Sequence, residues 1–334
     1  MLLKLLLNKR YQSRDWLGLW YKILKERGEN DLIAFVRRSA NKEERYSFSH
    51  AIMDGTSSIP FYMEKFGQQN CTPRKMDYIK KFSFIDTVKL TLSNLKVSPI
   101  SNSIWKERNI QRIEDIFEYS RLTLSKNETL AFNQYCEMNK VSENAILTKL
   151  ITNEIFPSLE NESDTHTWLF PVNVRGMVQK DNNYANHSSF IALNVYKDIS
   201  IEEIQQNIRE ELKSFKYLGL WWVHHIGILT GYNYMKKLSL KASQTKFWLG
   251  SISNVGKWYT DDNYTHLDNA EKDDAWFFAT PGSINFPISF VIMTLNDRMS
   301  FSLRVHPGVK KDSLQFSKQV LDNIREKVLF ITKS

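Results

Sequence analysis

Segments with helical spacing and segments with strand spacing alternate along the whole of this chain, and that interleaving restricts it to an α/β architecture with mixed sheets. Trp16, Leu19, Trp20 and Ile23 recur at helical intervals within residues 12–27, a stretch that Gly28 ends. Residues 32–36 and 46–50 read as a strand pair turning through 41–44, and Ile85, Val88, Leu92 and Leu95 predict a helix over 84–95. Ser125 with Glu128, and Ser200 with Glu203, have capping-box spacing ahead of helices. Ser142 caps another helix, whose Ile146, Leu147, Ile151 and Ile155 share a face until Pro157 stops it. Residues 218–238 also read as helical, and a closing helix is expected over 312–328. Strands are expected near 168–175, 188–195, 247–255, 275–280, 288–295 and 299–305. In the last of these, Phe301, Leu303 and Val305 alternate with Ser300, Ser302 and Arg304, after a hairpin turn at Asn296-Asp297.

With 334 residues, 42% of them hydrophobic, the chain can bury a core large enough for two lobes. The polar stretch over 97–117, which contains Pro99, is the expected boundary, giving an N-terminal lobe over 1–116 and a C-terminal lobe over 117–334. The opening leucines are interrupted at Lys4, and no apolar run reaches the length of a membrane-spanning helix. No cleavage site follows Lys9 and Arg10, so a cytoplasmic protein without integral membrane association is expected. Cys71 and Cys136 stand far apart, which excludes a disulfide framework and any cysteine-based metal site. A net charge of +8 favours an anionic partner, such as a phosphorylated cosubstrate or an acidic carrier protein. The basic residues are scattered and form no nucleic-acid motif, so no nucleic-acid partner is expected.

The sharpest local signal is Ser49-His50-Ala-Ile-Met-Asp54-Gly55, an H-x-x-x-D-G placed where a strand gives way to a helix. With only 7 His and 12 Gly in the chain, chance would supply such a hexapeptide on the order of once in a hundred sequences of this kind. An imidazole at the end of a strand is held firmly enough to act as general base, while a carboxylate four residues on can turn away to anchor the loop or cap the helix. Gly55 allows a sharp turn and a close backbone approach.

Read together with three further segments, this motif resembles the H-x-x-x-D-G acyltransferase superfamily of chloramphenicol acetyltransferase, alcohol acetyltransferases, wax-ester synthases and peptide-synthetase condensation domains. Residues 140–149, with Ser142, Glu143 and Asn144, resemble its second-lobe helix entry. Pro171-Val-Asn-Val-Arg175 resembles its P-V-x-x-R strand, followed by an Asn-rich loop at Asn182–Asn186, and Ser253-Asn254-Val-Gly256 resembles its S-N-x-G strand. The resemblance covers roughly residues 30–305. It implies two chloramphenicol-acetyltransferase-like lobes with a tunnel between them. It also implies His50 as the base that deprotonates the acceptor, Asp54 as a structural acid paired with Arg175, and Ser253 and Asn254 as positioning groups for the thioester or oxyanion. The implied reaction moves an acyl group from acyl-CoA, or from a phosphopantetheine thioester on an acyl carrier protein, to a small hydroxyl acceptor. It requires no bound cofactor and no metal.

The sequence departs from the family in three places. Ser49 stands where many members have a first histidine, the D-F-G-W-G of the plant enzymes is absent, and the motif lies so near the N-terminus that the first lobe is expected to be shortened there. A carrier-dependent, amide-forming condensation module and a non-catalytic binding module therefore stand as alternatives. Elsewhere, His224-His225 reads as helix packing, His306 as turn chemistry and Cys136 as a small core residue.

Overall fold

The computed structural model describes residues 15–39, 42–65, 72–73, 82–94, 102–109, 118–162, 164–175, 177, 186–219, 231–245, 247–259 and 275–333. Helix α1 (Asp15–Glu26) leads into the hairpin of β1 (Leu32–Ser39) and β2 (Lys42–Ser49), followed by α2 (Gly55–Lys65), a short β3 (Thr72–Pro73) and α3 (Phe84–Asn94). Next come β4 (Ser120–Thr123), α4 (Lys126–Met138), α5 (Glu143–Ile155), β5 (His166–Asn173), β6 (Ser188–Val195), α6 (Ile201–Ser214) and α7 (Tyr232–Thr245). The chain closes through β7 (Gly250–Tyr259), β8 (Ala275–Ala279), β9 (Ile288–Leu295), β10 (Arg298–Val305) and α8 (Ser313–Ile331).

These strands form two sheets. The first has the antiparallel order β2-β1-β8, and the second has the order β4-β10-β9-β7-β5-β6 with β3 paired to β7. Within the second sheet β9, β7 and β5 are parallel neighbours and the other pairs are antiparallel, so the sheet is mixed. The two halves of the chain lend each other strands. β8 completes the first sheet through Ala34↔Ala279 to Arg38↔Ala275, while β3 reaches the second through Thr72↔Tyr259. The larger core, around Phe132, Ile151, Trp168, Phe290 and Ile324, fills one side of the second sheet. A second core, around Phe35, Phe48, Ile59, Met63, Phe278 and Val291, fastens the first sheet and α2 to the other side.

The structure refines several sequence-based expectations. The first hairpin extends past the predicted turn because Glu44 and Glu43 stand opposite Arg37 and Arg38, and cross-strand charge pairing keeps these polar residues in register. The capping box at Ser125 and Glu128 is complete, whereas at Ser200 only half is made, because the Glu203 carboxylate accepts from Tyr196 Oη at 2.6 Å instead. The polar side of β10 is buried rather than solvated: β8 covers it, and Ser302 Oγ donates to the Phe278 carbonyl at 2.5 Å. The helix over 84–94 forms, yet Ile85 and Leu92 remain 64% and 58% exposed, so its periodicity does not mark a core-facing stripe. Of the helix expected over 218–238, the start of α7 is observed, while His224 and His225 lie outside the described residues.

Candidate active site

His50 follows directly on the last residue of β2, and two bonds tie that strand end to the residue preceding β1 while a third braces the turn after it. The His50 amide donates to the Asp31 carbonyl at 2.8 Å, Ser49 Oγ donates to Asp31 Oδ2 at 2.5 Å, and the Ala51 amide donates to Ser49 Oγ at 3.2 Å. The imidazole is partly buried, with the Tyr21 ring of α1 tilted against it at 5.4 Å between centroids. Its Nδ1 lies 3.1 Å from the Met53 carbonyl and 3.1 Å from Asn186 Nδ2. Both partners cannot be served by one proton. The Met53 carbonyl can only accept, and Asn186 Nδ2 has another acceptor in the His50 carbonyl at 2.9 Å. The Asn186 amide cannot turn over without loss, because its Oδ1 accepts from the Ser188 amide at 3.1 Å and from Ser188 Oγ at 2.6 Å. These partners assign the proton to Nδ1 and leave the Nε2 lone pair available as a proton acceptor. Burial holds the His50 pKa below the usual imidazole value, while the bond to the Met53 carbonyl and the carboxylates of Asp54 and Asp31 act in the opposite direction.

Asp54 performs two tasks with its two oxygens. Oδ1 accepts from the Ser57 amide at 2.9 Å and so caps α2, and Ser57 Oγ returns a contact to the Asp54 amide at 3.2 Å. Oδ2 faces the C-terminal half of the chain, where Arg175 Nη2 lies at 2.8 Å and the His187 amide donates at 2.8 Å. Arg175 is aimed by Asn173 Oδ1, which accepts from its amide at 3.0 Å and from Nη1 at 3.2 Å. The side chains of Asp54 and Arg175 are 7% and 15% exposed, so the ion pair is largely buried. Gly55 answers to space rather than to backbone conformation: a Cβ there would stand 3.0 Å from Val255 Cγ1 and 3.1 Å from Phe278 Cε1.

β7 carries Ser253 and Asn254 on opposite faces. Ser253 stands opposite Val291 of the smaller core, on the side that Val255 turns towards Gly55, whereas Asn254 stands opposite Ile292 of the larger core. Asn254 Nδ2 donates to Asn144 Oδ1 at 2.9 Å, its Oδ1 accepts from the Gly256 amide at 2.9 Å, and Lys257 Nζ meets Glu143 Oε1 at 2.6 Å. The strand register slips between Asn254 and Lys257, and Gly256 takes a left-handed φ of 93° to accommodate it. Two of the sequence segments, Glu143-Asn144 and Asn254–Lys257, thus meet here as a polar latch between α5 and β7.

His50, Asp54, Gly55 and Arg175 are brought together, joined by two residues that sequence reasoning missed. Asn186 belongs to the Asn-rich loop noted after Arg175, where nothing distinguishes it from its neighbours; residues 181–185 lie outside the described residues. Asp31 carries no signal beyond being an acid before a strand. His306 lies apart, its Nδ1 accepting from the Gly308 amide at 3.0 Å, and Cys136 is buried in the larger core with its thiol pKa pushed up to about 12 by that burial. Among the described residues no three His, Cys, Asp or Glu side chains are grouped to hold a metal ion, and no helix is long and apolar enough to cross a membrane.

No protein-family model matches the sequence, and no curated protein matches it. Solved structures do match the fold. The epimerization domain from the third module of tyrocidine synthetase B superposes with a TM-score of 0.50 at 12% identity, over 87% of this chain and 69% of that one. The EpoB NRPS cyclization-docking bidomain from Sorangium cellulosum gives 0.51 at 12% identity, over 87% and 59%. Wax ester synthase/diacylglycerol acyltransferase from Marinobacter aquaeolei gives 0.50 at 12% identity, over 87% and 67%. The chain shares the two-lobed α/β fold of these three structures. It spans between 59% and 69% of the length of these three structures, and identities this low speak for the fold alone.

Proposed function

We propose that this protein is a cytoplasmic acyltransferase that moves an acyl group from a thioester, acyl-CoA or carrier-bound phosphopantetheine, to a hydroxyl acceptor, with His50 as general base. The observation that carries the reading is the fixed imidazole. A histidine with Nδ1–H committed to the Met53 carbonyl, and Asn186 bracing it from the other half of the chain, presents Nε2 as a base without any further rearrangement. In the step proposed, Nε2 takes the acceptor's O–H proton as its oxygen attacks the thioester carbonyl, a C–O bond forms and the carbonyl electron pair moves onto oxygen. The tetrahedral oxyanion then collapses, the C–S bond breaks, and the thiol leaves with the proton returned by His50. Neither an acyl-enzyme nor a resident cofactor takes part.

Ser253, on the face of β7 turned to the smaller core, is the hydroxyl we assign to the oxyanion, where a positioned donor contributes most. Asn254 is assigned to the latch with Asn144, and Asp54 with Arg175 to holding the motif loop. The net charge of +8 suits either anionic donor. A second reading, carrier-dependent condensation with an amine acceptor, is supported by the two fold neighbours whose names place them in peptide synthetases.

Thiol release from a panel of short and long acyl-CoA donors with alcohol and amine acceptors, measured for the wild type beside His50→Ala, tests the proposal. Release that needs both the acceptor and His50 is expected, and turnover unchanged in His50→Ala would sink the mechanism. Silence of a folded wild type with free CoA donors, followed by activity once acyl-loaded carrier protein is supplied, would favour the second reading. Silence with both donors would favour a non-catalytic binding module.

A further inference from the structure

The charged groups facing His50 are unequal in a way the motif does not explain. Tyr21 comes from α1, Asp31 from the residue before β1, and Asp54 from the turn ahead of α2, with the neutral Asn186 from the other half of the chain. Asp54 has its charge matched at 2.8 Å by Arg175, a partner that is itself largely buried. Asp31 is only 3% exposed, yet its cation, Lys25, stands 3.5 Å away on a side chain that is 66% exposed. Water screens a pair of that kind strongly, so the carboxylate of Asp31 is the less compensated of the two negative charges beside the imidazole. Asp31 also grips the end of β2 twice, through its carbonyl to the His50 amide and through Oδ2 to Ser49 Oγ. Ser49 occupies the place of the first histidine in the resembling family, and here its hydroxyl is spent on Asp31.

We propose that Asp31 is a positioning residue that sets the basicity of His50, its carboxylate stabilising the imidazolium formed when the acceptor proton arrives and its two bonds fixing the strand end that carries the ring. An anion beside a histidine favours the charged ring, and a group that is a stronger base in place accelerates proton removal. The effect is electrostatic, so it has a sign that can be reversed. Removing the anion should make His50 harder to protonate, and removing the screening cation should make it easier.

The inference rests on His50 being the base, but its test can be read without turnover. His50 is titrated by NMR in protein labelled with carbon-13 at histidine, its resonance identified by its loss in His50→Ala, in wild type, Asp31→Asn and Lys25→Met. Asn keeps an acceptor for Ser49 Oγ and the same backbone carbonyl, and Lys25 is too exposed for its loss to unfold the protein. The expected result is a lower midpoint in Asp31→Asn and a higher midpoint in Lys25→Met. In acyl-transfer assays the acidic limb of the pH profile should move the same two ways, with kcat of Asp31→Asn falling about tenfold at neutral pH and KM nearly constant. Midpoints that stay at the wild-type value, or that move in the same direction in both variants, overturn the proposal. A wild type that transfers no acyl group removes the parent reading instead, and leaves the titration to decide whether Asp31 controls the ring.

Discussion

At the scale of single residues, the buried pair of Asp54 and Arg175 and the amide of Asn186 make separable demands. Arg175→Met leaves the Asp54 carboxylate inside the protein with only the Ser57 and His187 amides as donors, and loss of one member of a buried pair typically costs about 3–5 kcal/mol. Chemical denaturation should show a loss of that order, and Asp54→Asn added to Arg175→Met should recover part of it, because no uncompensated charge then remains. Asn186→Leu should behave differently. It removes the donor to the His50 carbonyl and the group beside Nδ1 without stranding a charge, so stability should fall by about 1 kcal/mol while kcat falls about tenfold or more. Steady-state kinetics with saturating donor would check that the loss lies in kcat rather than KM.

At the scale of elements, the close seating of α2 against β7 and β8 is what brings the motif loop to the other half of the chain. Gly55→Val would drive a branched side chain against Val255 and Phe278, and overpacking of this kind costs about 1–3 kcal/mol. Thermal melts should show the loss, and Val255→Ala in the same chain should return part of it. This glycine was legible in the sequence, as were His50 and Asp54, because the motif prescribes all three within six residues. The elements themselves were legible where periodicity and caps agree, as at Ser125 with Glu128 and in the strands at 188–195 and 288–295. What the sequence did not disclose depends on which strands become neighbours. That Ser302 would be buried under Phe278 and that β8 would cross to the first sheet follow from pairings between segments far apart in the chain, and that Asp31 would reach Ser49 depends on the exact register of the first hairpin. A period of two tells which residues share a face, not what will cover that face.

Over the whole molecule, buried histidines couple the fold to pH in a direction that can be worked out. His306 is 6% exposed, and burial, with Arg304 beside it, lowers its pKa from 6.5 to about 3. His166, fully buried, is lowered in the same direction by burial, with Nε2 donating to the Asn161 carbonyl at 2.8 Å and Nδ1 against Ser103 Oγ at 3.0 Å. The unfolded chain takes up these protons near pH 6.5 and the folded one refuses them. The contribution of His306 to stability is therefore complete above about pH 6.5 and is lost progressively as the pH falls towards about 3, at about 1.4 kcal/mol for every tenfold difference in proton affinity between the folded and unfolded chain, and His166 adds to it with the same sign. The melting temperature should decline across that window, and His306→Gln should flatten the decline. Burial lowers the His50 pKa in the same direction, so the base keeps its lone pair to a lower pH than an exposed imidazole would. Activity lost on acidification should therefore contain both protonation of the base and loss of folded protein, and the two can be separated. Measuring acyl transfer and near-ultraviolet circular dichroism on the same samples from pH 7.5 to 4 checks this. In the wild type the activity curve should fall no later than the fold curve as the pH is lowered. In Lys25→Met the activity curve should fall at a higher pH than the fold curve, because that variant makes the base easier to protonate without altering His166 or His306.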